Sequence, residues 1–121
     1  MKKLLLGAFA LIGTAGMAQA NTLTVMNLTG CPYTLSISGY GYATIGSGTY
    51  VFNSVGPADI TAAKVLYVFA SGANTGLGVG ISTPYANTAG QPTPPCLTAA
   101  YFTASWAQST SSANATMVIF N

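Results

Sequence analysis

Histidine, glutamate and arginine are absent from this chain, and aspartate occurs once. Two of its three lysines, Lys2 and Lys3, sit at the N-terminus, so beyond Ala20 the only charged side chains are Asp59 and Lys64. These absences exclude whole classes of chemistry. General acid–base catalysis takes a positioned His, carboxylate, Lys, Tyr or Cys. No carboxylate pair exists for glycoside hydrolysis, and no histidine is present to activate a serine or threonine. Without His or Glu, and with both cysteines committed to each other, side chains supply no zinc or copper site. Calcium would find Asp59 and neutral oxygens only. Nucleic acid is held by several Lys or Arg contacts to phosphate, which Lys64 alone does not supply. The expectation is a protein that is not an enzyme, takes no cofactor and binds no nucleic acid.

Long hydrophobic runs are scarce as well. Leu4 to Ala15 is apolar over about twelve residues, follows the basic Lys2-Lys3 pair and precedes the small-x-small pattern Ala18-Gln19-Ala20. That is the layout of an export signal cut after Ala20. A membrane anchor requires ~18 or more apolar residues, no later run reaches that length, and no cysteine stands at the cut to carry a lipid. Residues 1–20 are therefore read as a removed signal peptide. Residues 21–121 are read as one domain, secreted to the extracellular space or cell surface, with the periplasm as the other destination. Removing the leader takes the formal charge of +2 to zero.

Cysteine is limited to Cys31 and Cys96, 65 residues apart. In an exported chain with no thiol left over, the simplest pairing is one structural disulfide. A redox pair would favour Cys-x-x-Cys spacing, which is missing.

What remains is patterned for strands. Val65 to Ala70 is an unbroken apolar run of β-branched and aromatic residues, expected in the middle of a sheet and covered on both sides. Thr22–Leu28, Tyr33–Ser38, Thr49–Phe52 and Ala115–Asn121 alternate or are rich in β-formers. Leu97 to Gln108 is expected as one long strand, with Phe102, Ala104 and Trp106 on one face. Gly39–Tyr42 and Gly46–Gly48 read as an aromatic-bearing loop, and Pro84 to Pro95 as another. Asp59 is placed to cap a single helical turn through Ala63. About seven short strands with regular turns indicate an all-β chain, a single antiparallel β-sandwich with one disulfide.

Two features stand outside core building. In Thr75 to Ser82, Leu77, Val79 and Ile81 share one face while Gly76, Gly78 and Gly80 leave the other bare. Either a neighbouring aromatic, Tyr67 or Tyr101, lies over the glycines, or the bare face meets another subunit or a ligand ring. Tyr40, Tyr42, Tyr85 and Trp106 are the candidate stacking surfaces for an uncharged ligand such as a glycan. The sequons at Asn27 and Asn114 are read as chance matches in a chain with a bacterial-type signal.

Soluble domains usually carry about a quarter charged residues. A nearly uncharged surface lacks the repulsion that keeps monomers apart, and edge strands without lysine guards invite strand addition. The leading expectation is a secreted structural or adhesive subunit that self-associates or joins a surface assembly, its partner being itself or another surface protein. The alternative is a small secreted binding module for a glycan-like ligand.

Thr24 to Cys31 (Thr-Val-Met-Asn-Leu-Thr-Gly-Cys), Thr61-Ala-Ala-Lys64 and the hydrophobic C-terminal strand, behind an export signal, resemble small exported β-sandwich proteins of Bacteroidota-type bacteria. The resemblance covers roughly a quarter of the chain and brings no activity with it. Phe120 beside the C-terminus and the single cysteine pair are also similar to chaperone–usher pilin subunits. This chain is shorter, and its cysteines lie much farther apart, so strand donation is an analogy only.

Overall fold

A computed structural model describes residues 20–121; the expected signal, apart from Ala20, lies outside the described residues. The chain is all-β, two sheets packed face to face. In order, the strands are β1 (Thr22–Asn27), β2 (Tyr33–Ile37), β3 (Gly41–Ile45), β4 (Gly48–Asn53), β5 (Ala62–Val68), β6 (Asn74–Gly80), β7 (Tyr85–Asn87), β8 (Thr103–Ala107) and β9 (Ala115–Phe120). One sheet runs β4-β1-β9-β8-β7 and the other β3-β2-β5-β6. All pairings are antiparallel except β1 with β9, the first and last strands, which run parallel. Among the described residues no helix is long and apolar enough to cross a membrane.

The alternation of the strands explains the core. Leu23, Val25, Met117, Ile119, Ala104 and Trp106 point inward from the larger sheet. Tyr33, Leu35, Ile37, Ala63, Val65, Leu77 and Val79 meet them from the smaller. Intervening Ser and Thr residues face out, as period-2 burial requires. The Tyr33 ring packs against Phe102 with centroids 4.8 Å apart. Cys31, between β1 and β2, is bonded to Cys96, between β7 and β8, with Cα atoms 5.2 Å apart. The expected disulfide is therefore present.

Several expectations change. β5 does occupy the interior of its sheet, but only one of its faces is covered. Lys64 and Val68 are exposed, because a two-layer sandwich has no third layer. The Gly39–Tyr42 loop is instead the turn of the β2–β3 hairpin and the start of β3. Gly39 holds φ +76°, and a Cβ there would stand 2.6 Å from the Asp59 carbonyl oxygen. No helical turn follows Asp59: residues 58–61 are irregular, with the Asp59 carbonyl against Gly39, and lead directly into β5. Tyr85–Asn87 forms a short strand inside the expected Pro84–Pro95 loop. The long strand from Leu97 shrinks to β8, since Leu97–Tyr101 is tied down by Cys96 and by a Thr93 Oγ1–H bond to the Ala100 carbonyl at 2.7 Å. Nine strands result where about seven were expected.

Candidate interaction surface

Hydrogen-bond parity states which sheet edges are free. Antiparallel residues alternate between pairs that exchange bonds and pairs that turn their N–H and C=O away. Ser54 N–H donates to the Asn21 carbonyl at 2.9 Å. The alternation therefore directs Gly48, Tyr50 and Phe52 of β4 toward β1, and leaves Thr49, Val51 and Asn53 pointing off the sheet. In the other sheet, Ser38 N–H donates to the Ala62 carbonyl at 3.0 Å. By the same counting, Tyr42 and Thr44 of β3 face off the edge. β3 and β4 lie on one side of the sandwich, and neither carries a charged residue.

The opposite edge is capped at two points. Gly76, Gly78 and Gly80 of β6 stand across from Leu66, Lys64 and Ala62 and turn their backbone groups outward. At Gly76 the Gln91 carboxamide takes the place of a strand: Gly76 N–H donates to Oε1 and Gln91 Nε2 donates to the Gly76 carbonyl, both at 2.9 Å. Thr75 Oγ1–H donates to the Pro92 carbonyl at 2.6 Å. At Gly80, N–H donates to the Thr83 carbonyl at 2.9 Å, and the Gly80 carbonyl accepts the return bond from Thr83 N–H at 3.1 Å. On the larger sheet the corresponding edge is β7, three residues long and preceded by Pro84.

The glycine face belongs to the outer surface of the smaller sheet. Leu66, rather than Tyr67 or Tyr101, crosses Gly76, because the register pairs each glycine with an outward residue of β5. Tyr67 is on the inward face. The Lys64 stem runs past Gly78, and Gly80 is buried against Thr61 and Ala62. A shallow groove of ≈ 530 Å³ opens over Gly78 and Gly80, walled by Ser36, Ser38, Lys64 and Thr83. Its polar equipment is hydroxyls and one ammonium, enough to orient a polar ligand. Among the described residues no group of three or more His, Cys, Asp or Glu gathers anywhere.

The candidate aromatics do not converge. Trp106 is only 5% exposed and donates Nε1–H to Gln108 Oε1 at 3.0 Å, so it is a core residue and not a stacking surface. Tyr40 packs edge-on against Phe52 at 5.1 Å. Tyr42 is 80% exposed and stands beside Ser36, near the groove. Tyr85 is exposed on β7, in the other sheet and at the other side.

Neutral amides do work that ion pairs do elsewhere, and sequence reasoning missed them. Asn27 is buried, donates Nδ2–H to the carbonyls of Cys31 (2.8 Å) and Gly46 (2.9 Å), and accepts from Thr29 N–H and Oγ1–H. With both amide protons engaged, its sequon is closed to modification in the folded chain. Asn21 links Ile60 to Ala113, and Gln108 reaches the same two carbonyls from the other side. The only advance signal was the Asn-x-Thr spacing at Asn27, which suits an Asx turn. The Tyr33 phenol is pushed above its ordinary pKa by burial; a hydrogen bond with Thr29 works against this, and Tyr67 adds a small upward push.

No protein-family model, curated protein or solved structure matches the chain.

Proposed function

We propose that this is a secreted, non-catalytic structural or adhesive subunit that associates with copies of itself or joins a surface assembly. The observation that carries the reading is the asymmetry of the edges. One side of the sandwich is capped at Gly76 by Gln91, at Gly80 by Thr83 and by the stub of β7, while the other presents β3 and β4 unpaired and uncharged. Natural sheets guard open edges with lysine, proline or bulges when they are to stay single. Here the open side carries exposed Tyr42, Val51 and Val55 instead. The disulfide suits an oxidising compartment. Light scattering and electron microscopy of the purified chain test the reading: association at micromolar concentration is expected, and a monomer at every concentration reached would end it.

A second reading has one specific observation behind it. Tyr42 lies on the same outer face as the groove lined by Ser36, Lys64 and Thr83, a layout suited to stacking and hydrogen-bonding an uncharged sugar. Glycan-array binding lost on Tyr42→Ala would favour it. No binding to any glycan would remove it.

A further inference from the structure

The free edge of β4 is nearly a palindrome. Thr49-Tyr50-Val51-Phe52-Asn53 reads polar, aromatic, Val, aromatic, polar from either end. An antiparallel partner related by a two-fold axis reads the same strand backwards. We propose that the chain forms a closed dimer in which β4 pairs antiparallel with β4 of a second copy, centred on Val51. The proposal rests on the self-associating reading above and adds its partner and register.

The register follows from the groups left free. Thr49, Val51 and Asn53 point their N–H and C=O off the sheet. With the axis at Val51, that residue exchanges bonds with its own equivalent, and Thr49 of each copy exchanges them with Asn53 of the other. Between these lie the closer, non-bonded pairs, which set Tyr50 opposite Phe52 on both sides of the axis. Both rings are half-buried at the open margin of the core, and cross-strand aromatic pairs are among the favourable ones. On the outer face Val51, 62% exposed, is covered by its equivalent. Sliding the strands by two residues loses one of the bonded pairs and keeps one aromatic pair of the two, Phe52 against Phe52 or Tyr50 against Tyr50. No charge lies anywhere on the strand to oppose the contact.

The edges of the larger sheet explain why its growth stops at two copies. The joined sheet ends in β7 at both extremities, too short and too close to Pro84 to template another strand. The smaller sheet ends in β6, capped at Gly76 by Gln91 and at Gly80 by Thr83, and in β3, whose open edge lies on the same side as the β4 contact. The contact is isologous and closes on itself.

Sedimentation velocity over a concentration series of the purified chain reads the dimer constant. Val51→Lys sets like charges facing each other across the axis and is expected to weaken dimerisation ~10-fold or more. Thr44→Lys on the β3 edge is expected to leave it within about twofold. Both side chains are exposed, and the Val51 backbone groups point away from β1, so both variants should melt within a few degrees of the parent. Val51→Cys should give a disulfide-linked dimer on mild oxidation, since bonded antiparallel pairs hold their Cα atoms ~5.5 Å apart, within disulfide reach. A parent that dimerises and a Val51→Lys variant that dimerises equally well would overturn this interface while leaving self-association intact. A parent that never dimerises would overturn both.

Discussion

At the scale of single residues, Tyr33 shows how this chain stabilises itself without charge. Its ring is buried against Phe102, and its hydroxyl shares a hydrogen bond with Thr29 Oγ1 at 2.9 Å, one step from the Asn27 amide. Burial holds the phenol protonated in the folded state above the pH at which it ionises when unfolded. The sign follows from linkage: the unfolded chain releases this proton first, so stability is whole below the ordinary phenol pKa near 10 and is lost as pH rises through the higher folded value. The described residues contain no histidine and no free thiol, so side chains give little reason for stability to vary in the neutral range. Urea midpoints should therefore be flat from about pH 6 to 9 and fall above about 10. Tyr33→Phe should lose part of that alkaline fall, at a cost of about 1 kcal/mol for the missing hydrogen bond. An alkaline slope unchanged in Tyr33→Phe would show that the Tyr33 phenol does not carry the fall.

At the scale of elements, the three glycines of β6 differ although the sequence repeats them evenly. A Cβ at Gly80 would lie 2.6 Å from the Thr61 carbonyl oxygen and 2.7 Å from the Ala62 Cβ, whereas at Gly78 nothing comes nearer than 3.9 Å. Gly80→Ala is expected to destabilise by about 1–3 kcal/mol through forced backbone movement. Gly78→Ala should be neutral or stabilise by about 0.4–1 kcal/mol through the unfolded chain. Equal effects in chemical denaturation would show that the β5–β6 register is wrong. Gln91→Ala removes the side chain that pairs with Gly76, so exchange of the Gly76 amide proton should accelerate while Leu77 and Val79, bonded to β5, stay protected. The strands legible in advance were those with one face buried and one wet, such as Tyr33–Ile37 and Ala115–Phe120, because their alternation is their burial. β3 and β7 were hidden because edge strands bury few large side chains, and Gly41, Ala43 and Asn87 look like loop residues. β4 could be read as a strand from Thr-Tyr-Val-Phe, but nothing local says that it lies at an edge. The plug at Gly76 was illegible for another reason: a glutamine 15 positions away acts through its amide alone.

At the scale of the whole molecule, the two sheets are joined by chain crossings, by the shared core and by one covalent link. Cys31 sits where the chain leaves the larger sheet for the smaller, and Cys96 anchors the irregular segment between β7 and β8. That segment has little regular pairing of its own, so the bond acts on it twice. It restrains the unfolded chain across a separation of 65 residues, and it keeps Leu97 against the core while Phe102 enters it. In the chain-entropy account the first effect alone contributes roughly 4 kcal/mol, against the 5–15 kcal/mol that hold a domain of this size together. The core is built from both sheets and does not require the bond to exist, so the reduced chain should remain β-structured at room temperature. Its melting temperature should fall by roughly 15–30 °C, at 4–8 °C per kcal/mol for a domain of about 100 residues. Far-UV circular dichroism of the chain with Cys31→Ser and Cys96→Ser reads both quantities. A double variant melting within about 5 °C of the parent would mean that the unfolded chain is already compact enough for the link to constrain little. An unfolded double variant would mean that the uncharged core is weaker than its burial implies.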